Sequence, residues 1–157
     1  MADAALTDEV SLVEHYAAAT GALSAALAEI GDERLDVDPG DGWTARQVVH
    51  HLADSETRAY IRLRQLLAED NPVIAAYDEA EYARRLHYDR PIETSVAVVE
   101  AVRAASLELL QRLSPADFDR AGTHPEHSSY LVRTWLDIYT AHPQEHADQM
   151  RAAAGLR

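Results

Sequence analysis

The 157-residue sequence lacks two residue types altogether, cysteine and lysine. Without cysteine, the chain cannot form a disulfide, a thiolate metal site or a cysteine nucleophile. Without lysine, it can hold neither a Schiff-base lysine nor the phosphate-binding lysine of a P-loop. Any thiol chemistry would therefore have to use a small-molecule thiol.

Excess positive charge and long hydrophobic runs are missing as well. The formal net charge of −13 would repel a phosphate backbone, so we expect no nucleic-acid partner. There is no run of about 18 or more apolar residues, which argues against a membrane-spanning helix. The N-terminal residues Met1–Ala5 lack a basic start and an apolar core, so we predict no secretory signal. We therefore expect a cytoplasmic protein that binds no membrane.

The spacing of the apolar residues indicates the fold class. They make up 47% of the chain, enough for one sizeable core, and we expect residues 1–157 to form a single domain. Their periodicity predicts four long helices, at about residues 7–30, 44–70, 94–113 and 131–154. No segment has a convincing strand pattern. The predicted fold is therefore an all-α four-helix bundle.

The second helix has the clearest start signal. Thr44 and Gln47 fit a capping box, and Trp43 and Val48 flank it as a hydrophobic staple. This start fixes the register of the helix and places His51 on its inward, mostly apolar stripe.

The connections between the long helices carry weaker signals. About twenty residues separate the second and third long helices, so we expect this connection to be functional or to hold a helix of its own, at Asp78–Arg85. Ser114–Asp117 predicts a helical turn with proline at its first position. Gly122–Ser129 is expected to be a polar loop.

Two of the eight histidines share one helical face. His142 and His146 are spaced i, i+4 on the apolar stripe of the last helix, so both can face one ion. A third ligand must come from another helix. His50 and His51 are adjacent and lie about 100° apart around their helix, so only one can face that ion, and the stripe favours His51.

The same pattern has a structural alternative, in which the histidines are hydrogen-bonded members of the core. The other histidines carry less signal. We expect His15 on a solvated face, His50 hydrogen-bonded at the bundle edge, and His87, His124 and His127 in connections without a metal.

Several stretches together carry a family resemblance: Gly42–Ser55, Asn71–Ile74, Tyr77–Ala80, His124–His127 and the His-x-x-x-His pair near the C-terminus. They resemble the DinB/YfiT-like superfamily of metal-binding four-helix bundles, and most of all its YfiT-type branch. Members of that branch are described as metal-dependent hydrolases and include bacillithiol S-transferases. Carried over position by position, the resemblance implies that His51, His142 and His146 are the metal ligands.

The resemblance also implies cofactors and partners. A divalent ion, with zinc and nickel first among the candidates, would activate water or a low-molecular-weight thiol such as bacillithiol toward a small-molecule substrate. A homodimer is implied as well. Two alternatives remain: a non-catalytic metal-binding or stress-related dimeric module, and a plain helical dimerisation domain.

Two positions depart from the family pattern. Pro143 directly follows His142, so the helix should kink or widen beside a proposed ligand. Glu56 either supports the site as a base or lies on the surface. Asp54, Asp78 and Glu145 are further candidates for supporting or proton-transferring carboxylates, with a solvated or capping charge as the alternative for each, and none of the four receives a catalytic role. By analogy, the connection over residues 71–82 would close over the substrate.

Overall fold

The computed structural model describes the backbone of residues 2–156 and the side chains of residues 9–127 and 129–156. Its helices are α1 (Ala2–Ala19), α2 (Ala22–Ile30), α3 (Ala45–Ala68), α4 (Glu79–Arg85), α5 (Glu93–Leu110) and α6 (Val132–Ala153). Strands β1 (Ala121–His124) and β2 (His127–Leu131) form an antiparallel hairpin, and short 3₁₀ helices occupy Asp32–Arg34 and Pro115–Asp119.

The long helices form the predicted four-helix bundle. Helix α3 packs against α5 and α6, and α6 packs in addition against α1 and α2. None of the helices in the described residues is long and apolar enough to cross a membrane.

The core of the bundle is divided into two apolar clusters along its length. One cluster contains Leu52 of α3 and Met150 of α6, and the other contains Leu63 of α3 and Trp135 of α6. Between these positions, α3 carries the buried polar side chains of Ser55 and Glu56, and α6 carries the half-buried His142 and His146. The fold therefore places a polar layer in the middle of the bundle.

The capping box at the start of α3 is confirmed. The Thr44 hydroxyl accepts a hydrogen bond from the Gln47 N–H at 3.3 Å, and the Gln47 side-chain oxygen accepts one from the Thr44 N–H at 3.0 Å. The predicted short helix is also confirmed as α4, with Asp78 as its N-cap.

The prediction of one continuous first helix over residues 7–30 is wrong, because the helix breaks at Thr20. Arg103 of α5 donates to the Tyr16 carbonyl at 3.0 Å and to the Thr20 hydroxyl at 3.2 Å. The Thr20 N–H instead donates to the Ala17 carbonyl at 3.2 Å, three residues back. The buried guanidinium thus takes a carbonyl that an unbroken α-helix would use.

The prediction that residues 122–129 form a loop, with no strand in the chain, is also wrong. Gly122 pairs with Tyr130 and His124 with His127 in the hairpin. Glycine, serine and histidine favour strands weakly, so the local sequence gave little signal. The imidazole of His124 stacks on the Tyr130 ring at a centroid distance of 5.1 Å, which adds a cross-strand contact.

A distant segment of the chain stabilises the hairpin. The Ile74 N–H donates to the Thr123 carbonyl at 2.8 Å, and the Thr123 N–H donates to the Pro72 carbonyl at 2.9 Å. A side chain at Gly122 would meet the Pro72 oxygen at 2.7 Å, so only glycine permits this approach. These contacts hold the connection between α3 and α4 beside the hairpin.

Candidate metal centre

Three histidines from two helices meet in the polar layer. His51 comes from α3, and His142 and His146 come from α6; we call them the histidine trio. One ring nitrogen from each lies within 4.8 Å of those of the other two. The ring centroids of His51 and His146 are 4.7 Å apart, and those of His142 and His146 are 4.4 Å apart. The structure therefore brings together the three residues that the sequence singled out.

The two α6 histidines hold their Nδ1 atoms against hydrogen-bond acceptors. Nδ1 of His146 lies 2.7 Å from the amide oxygen of Gln149, and Nδ1 of His142 lies 3.4 Å from Oε1 of Glu56. Because both partners are acceptors, each Nδ1 is placed to donate a hydrogen bond. The two Nε2 atoms face each other 3.1 Å apart, and the Ser55 hydroxyl lies 3.4 Å from that of His142. Two ring nitrogens at this distance share either a proton or a cation.

The separation of the two Nε2 atoms, 3.1 Å, suits a shared metal ion. An ion about 2.0–2.1 Å from each of two imidazole nitrogens holds them about 2.8–3.4 Å apart, for bond angles of about 90–109°. Three imidazoles form a donor set that zinc, nickel, cobalt and iron accept. The residues present therefore fit a divalent transition-metal ion.

His51 is not a satisfied core histidine. Its ring is 1% exposed and packs against Trp43 at a centroid distance of 4.9 Å. Burial, followed by the charges of His146 and His142, lowers the pKa of His51 to about 3, so the ring is neutral at pH 7. Its Nδ1 makes no hydrogen bond with any described residue, and Oε2 of the exposed Glu79 lies 4.0 Å from it. A buried nitrogen without a partner costs stability unless a ligand uses the ring.

A buried ion pair supports His142 on the side away from the other histidines. The side chains of Arg103 and Glu56 are 0% and 1% exposed, and the guanidinium donates to Oε1 of Glu56 at 3.0 Å. The same oxygen accepts the hydrogen bond from His142 Nδ1. The alternative that Glu56 lies on the surface is therefore wrong. This chain of contacts orients the imidazole, as carboxylates do behind many metal-bound histidines.

Pro143 removes one helical hydrogen bond and Arg103 replaces it. Proline has no N–H to give to the Tyr139 carbonyl, four residues back. Arg103 donates to that carbonyl at 3.0 Å instead. Helix α6 stays α-helical on both sides of Pro143, without the wider turn that was one of two expectations. The guanidinium thereby ties Glu56 to the helix that carries two members of the trio.

The other carboxylates considered from the sequence lie elsewhere. Asp54 accepts a hydrogen bond from the Tyr88 hydroxyl at 2.6 Å, Asp78 caps α4, and Glu145 is exposed on α6. Of the four, Glu56 is the one that hydrogen-bonds a member of the trio.

The remaining helical histidines behave as expected. Nε2 of His50 donates to the Arg90 carbonyl at 3.0 Å, and its Nδ1 lies 2.8 Å from the Ser95 hydroxyl. His50 is therefore a satisfied buried histidine beside the trio, while His15 is exposed. His87 is exposed too.

A second group of possible ligands lies on the hairpin. His124, Glu126 and His127 place one ligand atom each within 4.8 Å of one another, and we call them the hairpin cluster. Nδ1 of His124 already accepts a hydrogen bond from the Glu126 N–H at 3.1 Å, and the Glu126 side chain is exposed.

A cavity of about 210 Å³ adjoins the histidine trio. His142 lines one side of it, and His124 and His127 line another. Tyr77 and Glu79, which belong to the connection expected to cover the substrate, also line it.

Comparison with known proteins shows the family of the chain. The model of the DinB superfamily matches residues 15–150. The chain belongs to the DinB superfamily. It is 44% identical over 119 residues, 75% of this chain and 69% of the other, to a protein of Oceanobacillus iheyensis named "Putative metal-dependent hydrolase". It is 36% identical over 133 residues, 82% of this chain and 74% of the other, to a Geobacillus thermodenitrificans protein of the same name.

A solved structure supports the fold of this DinB superfamily member. YfiT from Bacillus subtilis superposes with a TM-score of 0.81 at 27% identity, over 95% of this chain and 89% of YfiT. YfiT is described as a "probable metal-dependent hydrolase with an unusual four-helix bundle topology". The resemblance inferred from the sequence motifs is confirmed.

The candidate site of this DinB superfamily member also includes residues that sequence analysis did not single out. Gln149 follows His146 by three positions, a spacing that brings side chains together on a helix and could have indicated the contact. Glu79 had no such signal, because its position depends on how α4 packs against α3. Arg103 stood out only as a charged residue among the apolar positions of its helix.

Proposed function

We propose that the histidine trio binds a divalent metal ion and that the protein is a metal-dependent enzyme acting on a small molecule. The observation that carries this proposal is the convergence of His51, His142 and His146, in which Nε2 of His142 and Nε2 of His146 lie 3.1 Å apart. The relatives named as metal-dependent hydrolases support it. Zinc and nickel are the proposed ions, because imidazole donors favour them.

The chain's own residues would orient the reacting groups. When bound, a divalent ion lowers the pKa of a water or thiol ligand and so supplies a nucleophile near neutral pH. Oε1 of Glu56 lies 3.4 Å from Nδ1 of His142, where it would orient the ring with Nε2 toward the ion. Glu79 lines the cavity beside His51, so its carboxylate is placed to accept the proton of an incoming water or thiol.

Two reactions are compatible with this arrangement. The site would hydrolyse an amide or ester, or it would activate a small thiol such as bacillithiol for transfer to an electrophile. Because the chain has no cysteine, the sulfur of a transfer reaction must come from a co-substrate.

Metal analysis tests the proposal. The protein is reconstituted with zinc or nickel, desalted, and measured by inductively coupled plasma mass spectrometry. We expect one ion per chain, and none in His51→Ala or His146→Ala. His15→Ala, which removes an exposed histidine, is the control and should keep the ion. Equal, negligible metal in the unaltered protein and the variants would refute the proposal.

Activity assays then separate the two reactions. Conjugation of bacillithiol to an electrophile is compared with hydrolysis of a panel of amides and esters, with and without metal. Metal-dependent turnover in one assay identifies the reaction. Absence of turnover in all of them, with metal bound, would identify a non-catalytic metal-binding module.

We also propose that the protein is a homodimer. A groove between α1 and α5 is lined by apolar side chains that include Val13, Leu107 and Leu113, and Val10 beside them is 56% exposed. Such a surface is where a second copy would bury apolar area. Light scattering should give twice the chain mass of 17.3 kDa. A single-chain mass would contradict this proposal.

A further inference from the structure

The cavity beside the histidine trio has a second polar wall that the proposed metal chemistry does not use. Arg62 of α3 lies there with the phenols of Tyr77, Tyr130 and Tyr139. The Tyr139 ring is 5.6 Å from the His142 ring, centroid to centroid, so this wall is continuous with the metal centre. A ligand in the cavity would reach both.

Arg62 has hydrogen-bonding capacity to spare. Its Nη1 donates to the Tyr139 hydroxyl at 3.0 Å and its Nη2 donates to the Ala75 carbonyl at 2.7 Å. A guanidinium has five N–H donors, so three remain. Arg62 makes no ion pair with a carboxylate in the described part of the chain, although acidic residues outnumber basic ones 27 to 14.

Two tyrosine hydroxyls of this wall are buried without a partner. The Tyr130 side chain is 1% exposed, and its hydroxyl makes no hydrogen bond with any described residue; the same holds for the buried hydroxyl of Tyr77. Burial is the largest cause that raises the pKa of both phenols. The neighbouring Arg62 lowers the pKa of Tyr130 and the neighbouring Ser55 lowers that of Tyr77, each by a smaller amount. Both hydroxyls are therefore protonated donors at neutral pH.

Buried donors without acceptors cost stability, so they point to an acceptor supplied by a ligand. The donors here are a guanidinium and neutral hydroxyls, a set that matches a carboxylate. Two carboxylates also line the cavity, on Glu79 and Glu126, but both side chains are exposed and water screens them.

We propose that Arg62, Tyr130 and Tyr77 form a subsite for the carboxylate of a small substrate or thiol whose reacting group lies at the histidine trio. This inference rests on the proposed metal-dependent function and adds a substrate class to it. The cavity volume of about 210 Å³ limits the ligand to a few heavy atoms between its two ends.

A pair of matched thiols tests the subsite. Binding of 3-mercaptopropionate and of neutral 3-mercaptopropan-1-ol to the zinc-loaded protein is measured by isothermal titration calorimetry. We expect the carboxylate ligand to bind about tenfold or more tightly, because charge-assisted hydrogen bonds favour it. Equal affinities would overturn the subsite.

Variants of Arg62 and Tyr130 test whether these residues cause the preference for the carboxylate ligand. Arg62→Met should reduce the ratio of the two affinities to near one, and Tyr130→Phe should reduce it by a smaller factor. Arg64→Met is the control, because that guanidinium packs on the Tyr60 ring and does not line the cavity. A preference that survives in Arg62→Met would show that the carboxylate binds the metal instead, and would overturn the proposal.

The design separates failure of the subsite from failure of the metal site. Zinc content and the melting temperature of every variant are measured first, and Arg62→Lys provides a second, charge-retaining variant if Arg62→Met unfolds. Arg62→Lys keeps the charge but loses the planar fork, so it should retain only part of the preference for the carboxylate ligand.

A second experiment tests the subsite without a metal ion. Binding of succinate and of succinamide is compared on the metal-free His146→Ala protein. Preference for succinate there, lost on adding Arg62→Met, supports the subsite even if the trio binds no ion. Zinc binding with equal affinities leaves the metal site standing and refutes the subsite alone.

Discussion

The histidine trio and the hairpin cluster contain similar residues at similar separations, but they differ in the hydrogen-bond contacts of their ring nitrogens. In both, three ligand atoms lie within 4.8 Å of one another. In the trio, Gln149 and Glu56 contact the Nδ1 atoms of His146 and His142, and the two Nε2 atoms face each other 3.1 Å apart. In the hairpin cluster, Nδ1 of His124 is already used by a backbone N–H.

The two clusters also differ in their support. The trio projects from two long helices whose register is fixed by packing and by the capping box of α3. The hairpin cluster lies at a two-residue turn, beside an irregularity between Gly122 and His124. The comparison teaches that proximity of ligand-type residues does not make a metal site. The ligand nitrogens must also be free of protons, and their lone pairs must be directed at one point and held there.

The largest expected effect separates the two clusters directly. His142→Ala should abolish stoichiometric zinc binding, because two remaining imidazoles hold the ion much more weakly than three. His124→Ala should leave one zinc per chain. Both values are read by mass spectrometry after reconstitution and desalting. Loss of zinc in His124→Ala with retention in His142→Ala would reverse the comparison.

The next effect concerns the ion pair that anchors the trio. Arg103→Met leaves the Glu56 carboxylate buried without its cation and the Tyr139 carbonyl without its arginine donor. It also removes the shorter of two hydrogen bonds to the Tyr16 carbonyl, which keeps the one from the Thr20 hydroxyl. We expect a loss of about 3–5 kcal/mol in the free energy of unfolding, measured by urea denaturation.

Arg84→Met is the matched control for that variant. Arg84 also pairs with a glutamate, Glu81, but on the surface of α4, and its removal should change stability little. Equal effects of the two arginine variants would show that the buried pair does not anchor the bundle.

A smaller effect is expected on metal affinity alone. Glu56→Gln removes the charge behind His142 and should weaken zinc binding by about 10- to 100-fold. Asp54→Asn on the same helix is the control, because Asp54 hydrogen-bonds Tyr88 and not the trio. Competition with a chromophoric chelator measures both. An unchanged zinc affinity in Glu56→Gln would show that the Glu56 carboxylate does not support the metal site.

The smallest effect is predicted for the exposed partner of His146. Gln149→Ala removes an acceptor that water can replace, so zinc affinity should fall by less than about tenfold. Gln144→Ala, whose amide bonds Asp148 instead, should leave affinity unchanged. A loss in Gln149→Ala as large as that in Glu56→Gln would show that exposure does not weaken this contact.

The features that could be predicted from the sequence are those that depend on residues close together in the chain. Apolar periodicity predicted the bundle, and the signals at Thr44 and Asp78 predicted the starts of α3 and α4, since caps are encoded within a few residues. The spacing of His142 and His146 placed both rings on one face for the same reason. The resemblance to the DinB superfamily was likewise inferred from short local motifs, such as Gly42–Ser55.

What the sequence did not predict depends on contacts between distant segments. The break at Thr20 and the rescue of the Tyr139 carbonyl both come from Arg103, which lies more than thirty positions from either. The hairpin is stabilised by a distant segment near Pro72, which hydrogen-bonds β1. Such tertiary contacts override weak local propensity and leave no periodic signal.

The most direct test of the account is anomalous diffraction from crystals of the zinc-loaded protein, recorded on both sides of the zinc absorption edge. We predict a single anomalous peak within about 2.0–2.1 Å of one nitrogen each from His51, His142 and His146. A peak at the hairpin cluster, or none between α3 and α6, would contradict the account.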